Sequence, residues 1–117
     1  MVKDLFNTIR VIREEKKING YVKREYKVYD EYEISLIGYA AVIVEENVVH
    51  IGVINVNRDY RGRGIGTAIL LSILGDFSDK KIEVKTFNYL VPWYEKHGFK
   101  LLSESGNIFH LIHLPSL

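Results

Sequence analysis

The chain has 117 residues, 47% of them hydrophobic, and a net charge of +1. That suits a packed core in one domain over residues 1–117, is too apolar for a disordered chain, and gives no strong pull toward nucleic acid or membrane. There is no cysteine, which excludes a disulfide scaffold, a thiolate zinc site and a cysteine nucleophile. No apolar run approaches the roughly 20 residues that span a bilayer. The opening MVKDLFNTIRVIREEKK lacks a secretion signal's apolar core, so a soluble cytoplasmic protein is expected.

In residues 1–17, Leu5, Phe6, Ile9 and Ile12 have helical spacing, whereas Thr8 to Ile12 is β-branched; a strand over residues 7–14 is favoured. Asn19-Gly20 is a hairpin signal, since both residues tolerate positive φ. Tyr21 to Tyr29 alternates, with Val22, Tyr26 and Val28 on one face and Lys23, Glu25 and Lys27 on the other. Asp30-Glu31 turns the chain. Glu33 to Val44 is almost continuously apolar, as in a strand covered on both faces. After Glu45-Glu46-Asn47, Val48 to Val56 is a fourth strand. A helix from Gly64 to Gly75 presents Ile65, Ile69, Ile73 and Phe77 to a sheet. Lys81 to Thr86 alternates with Ile82 and Val84 inward. Strand, helix and strand in succession predict a right-handed crossover between parallel strands. Pro92 opens a short helix, Gly98 ends it, and Phe99–Glu104 and Ile108–Leu114 turn at Ser105-Gly106-Asn107. The expected order is β-β-β-β-α-β-α-β-β, an α+β fold.

The most informative stretch is VINVNRDYRGRGIGTAILLSILGDF, residues 53–77. Strand passes through Arg61-Gly62-Arg63-Gly64-Ile65-Gly66 into helix. Glycines let backbone approach a ligand closely. The first helical N–H groups lack partners, and with the dipole and two arginines they invite a phosphate. A dinucleotide fingerprint fails, because its third glycine would fall on Thr67; a nucleotide P-loop fails for want of a Lys-Ser/Thr pair. Arg-x-x-Gly-x-Gly, on Arg61, Gly64 and Gly66, does fit. It closely resembles the acetyl-CoA motif of the GNAT superfamily of N-acetyltransferases. Asn88 and the run Pro92-Trp93-Tyr94-Glu95-Lys96-His97-Gly98-Phe99 resemble that superfamily's second signature.

The resemblance implies a mixed, mostly antiparallel sheet with splayed central strands and about two flanking helices. Its usual two helices between the first and second strands have no room between Ile9 and Val22, which leaves the acceptor site without a wall. It implies acetyl-CoA as acyl donor, direct attack by an amine in a ternary complex, and no metal. The backbone N–H groups of Arg63, Gly64, Gly66 and Thr67, with Arg61, Gly62 and Arg63, would cradle the pyrophosphate. Ile54, Asn55 and Val56 would pair with the pantetheine arm and polarise the thioester. Tyr94 would protonate the departing thiolate, its phenol carrying a proton at neutral pH. Asn88 would contact the cofactor. No general base is assigned: an imidazole is the side chain suited to this role at neutral pH, but His50 lies before the thioester position. His110 and His113, three apart on a strand, point to opposite faces and do not share a metal. The acceptor is a small molecule or protein amine. A homodimer could replace the missing wall. The rival reading is a non-catalytic acyl-CoA-binding or regulatory module.

Overall fold

A computed structural model describes residues 9–116. Seven strands form one sheet in the order β1-β2-β3-β4-β5-β7-β6. They are β1 (Ile12–Ile18), β2 (Tyr21–Tyr29), β3 (Leu36–Val44), β4 (Val48–Val56), β5 (Lys81–Thr86), β6 (Lys100–Ser105) and β7 (Ile108–His113). Helix α1 (Ile65–Asp76) joins β4 to β5, and α2 (Val91–Lys96) joins β5 to β6. Short 3-10 turns at Arg58–Tyr60 and Asn88–Leu90 precede the two helices. All pairings are antiparallel except β4 with β5, as the crossover required.

A two-residue turn joins β1 to β2: Ile18 faces Tyr21, with Asn19 at φ 35° and Gly20 at φ 90°. Two positive φ values match the right-handed twist of a hairpin. No helix intervenes. The first strand runs later than the expected 7–14, of which residues 7–8 lie outside the described residues. β1 is an edge strand and highly charged. It is held by register and by cross-strand pairs, Glu15 with Arg24 and Glu14 with Lys27 at 3.3 Å.

β3 begins at Leu36 rather than Glu33. The Asp30 carboxylate accepts the N–H groups of Tyr32 and Ile34, and Glu33 takes φ 58°, so this stretch is a turn. Nor is β3 covered on both faces. Ile37, Ala40 and Val42 are buried, while Tyr39, Ala41 and Ile43 are half-buried.

The covered face of the sheet carries Tyr26, Val28, Ala40, Val42, Val49, Ile51, Ile82, Val84 and Leu111. Ile65, Ile69, Leu70 and Ile73 of α1 pack on it, with Phe77 closing the helix. Gly38 makes the closest approach possible: a Cβ there would lie 2.7 Å from Ile65 Cγ2. Tyr94 brings α2 into the same core, edge-on to Phe99. Asp76, at the end of α1, ties the helix to the β1–β2 hairpin. It accepts from Arg13 Nε at 2.6 Å, the Tyr26 hydroxyl at 2.8 Å and Arg24 Nη1 at 3.2 Å. The opposite face, with Lys23, Glu25, Lys27, Tyr39, His50, Glu83 and His110, carries no helix among the described residues. No helix among them is long and apolar enough to cross a membrane.

Candidate active site

β4 and β5 are paired only from Val48–Lys81 to Ile51–Val84. Beyond Ile51 they part. Gly52 to Val56 keeps β3 on one side and has no strand on the other. The parting coincides with a bulge: Val42 faces Ile51 and Ala41 faces Val53, so Gly52 is an extra residue. A bulge bends its strand and frees backbone groups. Unpaired N–H and C=O groups of a strand edge are a template for an extended ligand.

The parted strands open into a cavity of about 570 Å³. Ile54, Asn55 and Val56 form one wall; Arg61, Gly62, Gly64, Gly66 and Thr67 form the end. Tyr89, Leu90, Trp93 and Tyr94 close the far side. Ile54 and Val56 face the helices, opposite Ala40 and Gly38, and Asn55 alternates to the open face.

The glycine turn is built for its geometry. Gly62 has φ 78° and Gly64 φ 84°, left-handed conformations that strain any residue with a Cβ. Gly64 is the residue before α1 and offers no side-chain cap. The first intrahelical bond runs from Ala68 N–H to Gly64 O. The N–H groups of Ile65, Gly66 and Thr67 are thus the open donors of α1, and all three residues line the cavity. The positive end of the α1 dipole lies at the same place. Arg61 Nε donates to the Val56 carbonyl at 3.0 Å, tying the turn to the end of β4. This donor set fits a pyrophosphate.

Two residues expected at the site stand apart from this lining. The Arg63 guanidinium stacks over the Tyr60 ring, 4.9 Å from its centroid, and lines a neighbouring cavity. Asn88 opens the 3-10 turn before α2 and is exposed. Ile65, Tyr60, Tyr89, Leu90 and Trp93 join the lining without having been foreseen. Ile65 follows from helix geometry once the cap is fixed at Gly64. The aromatic wall depends on how the Asn88–Leu90 turn folds, which spacing does not encode.

Tyr94 is 4% exposed, between Trp93 at 4.9 Å and Phe99 at 5.2 Å between ring centroids. Burial pushes its phenol up to about 12. The hydroxyl has no hydrogen-bond partner among the described residues, so its proton is free for a group entering the cavity. His50 is partly exposed on the open face, away from this cavity. His113 faces the core side beside Phe99, opposite to His110. No group of His, Asp and Glu among the described residues is arranged to hold a metal.

The sheet is thus split at its centre, with a backbone-lined slot and a helix N-terminus at the slot's end. The acetyltransferase (GNAT) domain model matches residues 7–115, and the chain belongs to the GNAT family. Among solved structures it is similar to the PaiA N-acetyltransferase from Thermoplasma acidophilum in complex with coenzyme A. There the identity is 18%, with a TM-score of 0.66, covering 77% of this chain and 59% of that one. It is similar to the ribosomal-protein-S18-alanine N-acetyltransferase from Escherichia coli at 14% identity and TM-score 0.72, covering 86% and 73%. An acyl-CoA N-acyltransferase from Pseudomonas aeruginosa matches at 17% identity and TM-score 0.64, covering 78% and 67%. The curated proteins include no match to this sequence. The chain therefore has the acyl-CoA-dependent acetyltransferase fold, and spans less than two thirds of the Thermoplasma protein.

Proposed function

We propose that this protein transfers an acetyl group from acetyl-CoA to an amine by direct attack in a ternary complex. The observation that carries the reading is the coincidence of the β4–β5 parting, the bulge at Gly52 and the glycine turn in one cavity. In this reading the N–H groups of Ile65, Gly66 and Thr67, with Arg61, hold the pyrophosphate. Ile54 to Val56 pairs with the pantetheine arm as a strand would. A backbone N–H of that edge donates to the thioester oxygen as the carbonyl carbon becomes tetrahedral. The amine forms the new C–N bond, the C–S bond breaks, and the Tyr94 hydroxyl donates its proton to the departing thiolate. Arg63 and Asn88 contribute at the periphery, to the nucleotide end and the mouth respectively. The acceptor is an amine of a small molecule or protein.

Calorimetric titration with acetyl-CoA, desulfo-CoA and NAD tests the donor. Micromolar binding of both CoA species, absent for NAD, is the expected result. Gly66→Glu should abolish it. A Cβ at Gly66 meets only ordinary contacts, 3.6 Å to Val56 and 3.8 Å to Trp93. The variant therefore places negative charge in the cradle without straining the fold. Undiminished CoA binding by Gly66→Glu, or none by wild type, would overturn the proposal.

The two-residue β1–β2 turn favours a second reading. With no helix over the open face among the described residues, the same cradle could serve a non-catalytic acyl-CoA-binding module. CoA binding without thiol release across a broad amine panel would support that module over the enzyme.

A further inference from the structure

Three strands bring titratable side chains together on the open face of the sheet. Glu83 of β5 lies between His50 of β4, whose Nδ1 is 3.3 Å from Glu83 Oε2, and His110 of β7, whose Nε2 is 3.5 Å from the same oxygen. Lys81 Nζ holds the other carboxylate oxygen at 3.1 Å. His110 Nε2 is fully buried and makes no hydrogen bond among the described residues; Glu83 Oε2, at 3.5 Å, is the acidic group facing it. The imidazole as a whole retains some exposure, at 22% of its side chain, so its other nitrogen is the one left toward the open face.

The position of this cluster matters more than its composition. His110 is paired with Lys85, the first residue of β5 beyond the last β4–β5 pair, Ile51–Val84. It therefore stands level with the start of the slot, on the face opposite α1 and α2. Val53 and Asn55 of β4 project to that same face. Paired strands are about 4.8 Å apart, so the β7 backbone is about 10 Å from β4 where β4 and β5 still pair, and farther beyond Ile51, where they part. An imbalance of roles follows. The helix-covered side of the slot supplies the cradle and Tyr94, a proton donor. It offers no base. The open side supplies an imidazole backed by a carboxylate.

Resting on the acetyltransferase reading, we propose that His110, oriented by Glu83, is the general base that deprotonates the acceptor amine, through bound water, on the open face of the sheet. The ammonium of the incoming acceptor gives one proton by way of water to the exposed ring nitrogen of His110. The neutral amine attacks the thioester carbon from that side; the C–N bond forms, the C–S bond breaks, and the thiolate takes a proton from Tyr94 on the other. The proton left on nitrogen returns to solvent as the amide forms. Glu83 is a positioning residue, donating nothing and fixing the tautomer with Nε2 protonated toward it. Burial opposes its ionisation, but the hydrogen bond and charge of Lys81, with the two imidazoles, outweigh burial and keep it an anion. The other groups facing His110 are Lys85 beside it on β5, Ser103 opposite it on β6, and Lys100 two residues along. His50 completes the Glu83 cluster, with Glu45 at 3.6 Å.

The test measures thiol release from acetyl-CoA with ethanolamine, spermidine, a lysine-containing peptide or water alone as acceptor. Wild type, His110→Gln and Glu83→Gln are compared, with melting temperature and CoA calorimetry on each. His110→Gln should lower kcat about 100-fold with CoA affinity unchanged, and should flatten the dependence of kcat/KM on pH. Glu83→Gln should lower kcat by less than His110→Gln does, because it loosens the imidazole without removing it. Ring-nitrogen resonances should place the proton of neutral His110 on Nε2 in wild type. Wild-type kcat and pH profile in His110→Gln would overturn the proposal. So would a wild-type protein that binds CoA and releases no thiol with any acceptor. Absence of CoA binding would overturn the acetyltransferase reading as well.

Discussion

Adding one methyl group at Gly38 should disturb both stability and ligand binding. The Cβ of Gly38→Ala would sit 2.7 Å from Ile65 Cγ2 and 3.2 Å from Ile69 Cδ1. Carbon atoms rest at about 3.5–4.0 Å, so one side must retreat by about 1 Å. Ile69 Cδ1 is a chain end and can rotate. Ile65 Cγ2 is fixed to the helix through a stiff χ1, so the start of α1 has to move. Overpacking of this kind costs about 1–3 kcal/mol, partly offset by the lower chain entropy of unfolded alanine relative to glycine. A net loss of about 1–2 kcal/mol corresponds to a fall in Tm of roughly 5–10 °C. Ile65 is also the first residue of the cradle, so CoA affinity should drop about tenfold. Thermal denaturation and calorimetry measure both. The clash is pairwise, and Gly38→Ala should become nearly neutral in an Ile65→Ala background. Wild-type Tm and affinity in Gly38→Ala would refute the argument, as would an unchanged cost in the double variant.

Tyr94→Phe should reduce kcat by one to two orders of magnitude while leaving CoA affinity intact; an unaltered kcat would remove Tyr94 from the chemistry. Because its phenol is pushed up to about 12, wild-type activity should show no loss from Tyr94 ionisation below about pH 10. Asp76→Ala should cost about 1–3 kcal/mol, since it leaves the buried Tyr26 hydroxyl without its acceptor. Burial works against Asp76, but hydrogen bonds from Arg13 and Tyr26 prevail and hold its carboxyl below the usual value. Its contribution is therefore complete above about pH 4 and disappears as pH falls through the lower folded-state value. Denaturation against pH should show the gap between wild type and Asp76→Ala closing in that acid range.

The strands that pack against helices were legible because burial imposes period 2 on them. Lys81–Thr86 has its expected bounds, and Ile65, Ile69 and Ile73 of α1, with Phe77 just after it, are all buried. The first strand is hard to bound from sequence because an edge strand has little apolar pattern to read: Arg13 to Lys17 carries only charge, and its partners are the charges of β2. β3 starts later than the apolar run from Glu33 to Val44 suggests, because Ile34, though apolar, is 79% exposed in a turn capped by Asp30. At the site, the glycine turn was readable since positive φ at Gly62 and Gly64 leaves few substitutes. Arg63 could not be placed from sequence, because its guanidinium has a choice between phosphate and the Tyr60 ring. The meeting of His50, Glu83 and His110 was hidden for a different reason. It depends on β7 inserting between β5 and β6, which no local pattern specifies.

The short β1–β2 turn has a consequence for how the molecule assembles. β1 to β4 form by successive hairpins, each pairing with its neighbour in sequence. Contacts of this local kind form quickly, because little chain entropy is spent in closing them. The other half of the sheet must wait for the α1 crossover to deliver β5. The slot lies on the seam between these two halves, held by only four residue pairs. Amide exchange should therefore be faster for Ile51 and Val84 than for Ala40 and Val42, and a ligand bridging the seam should slow it, fastening together two parts of the chain that fold at different times.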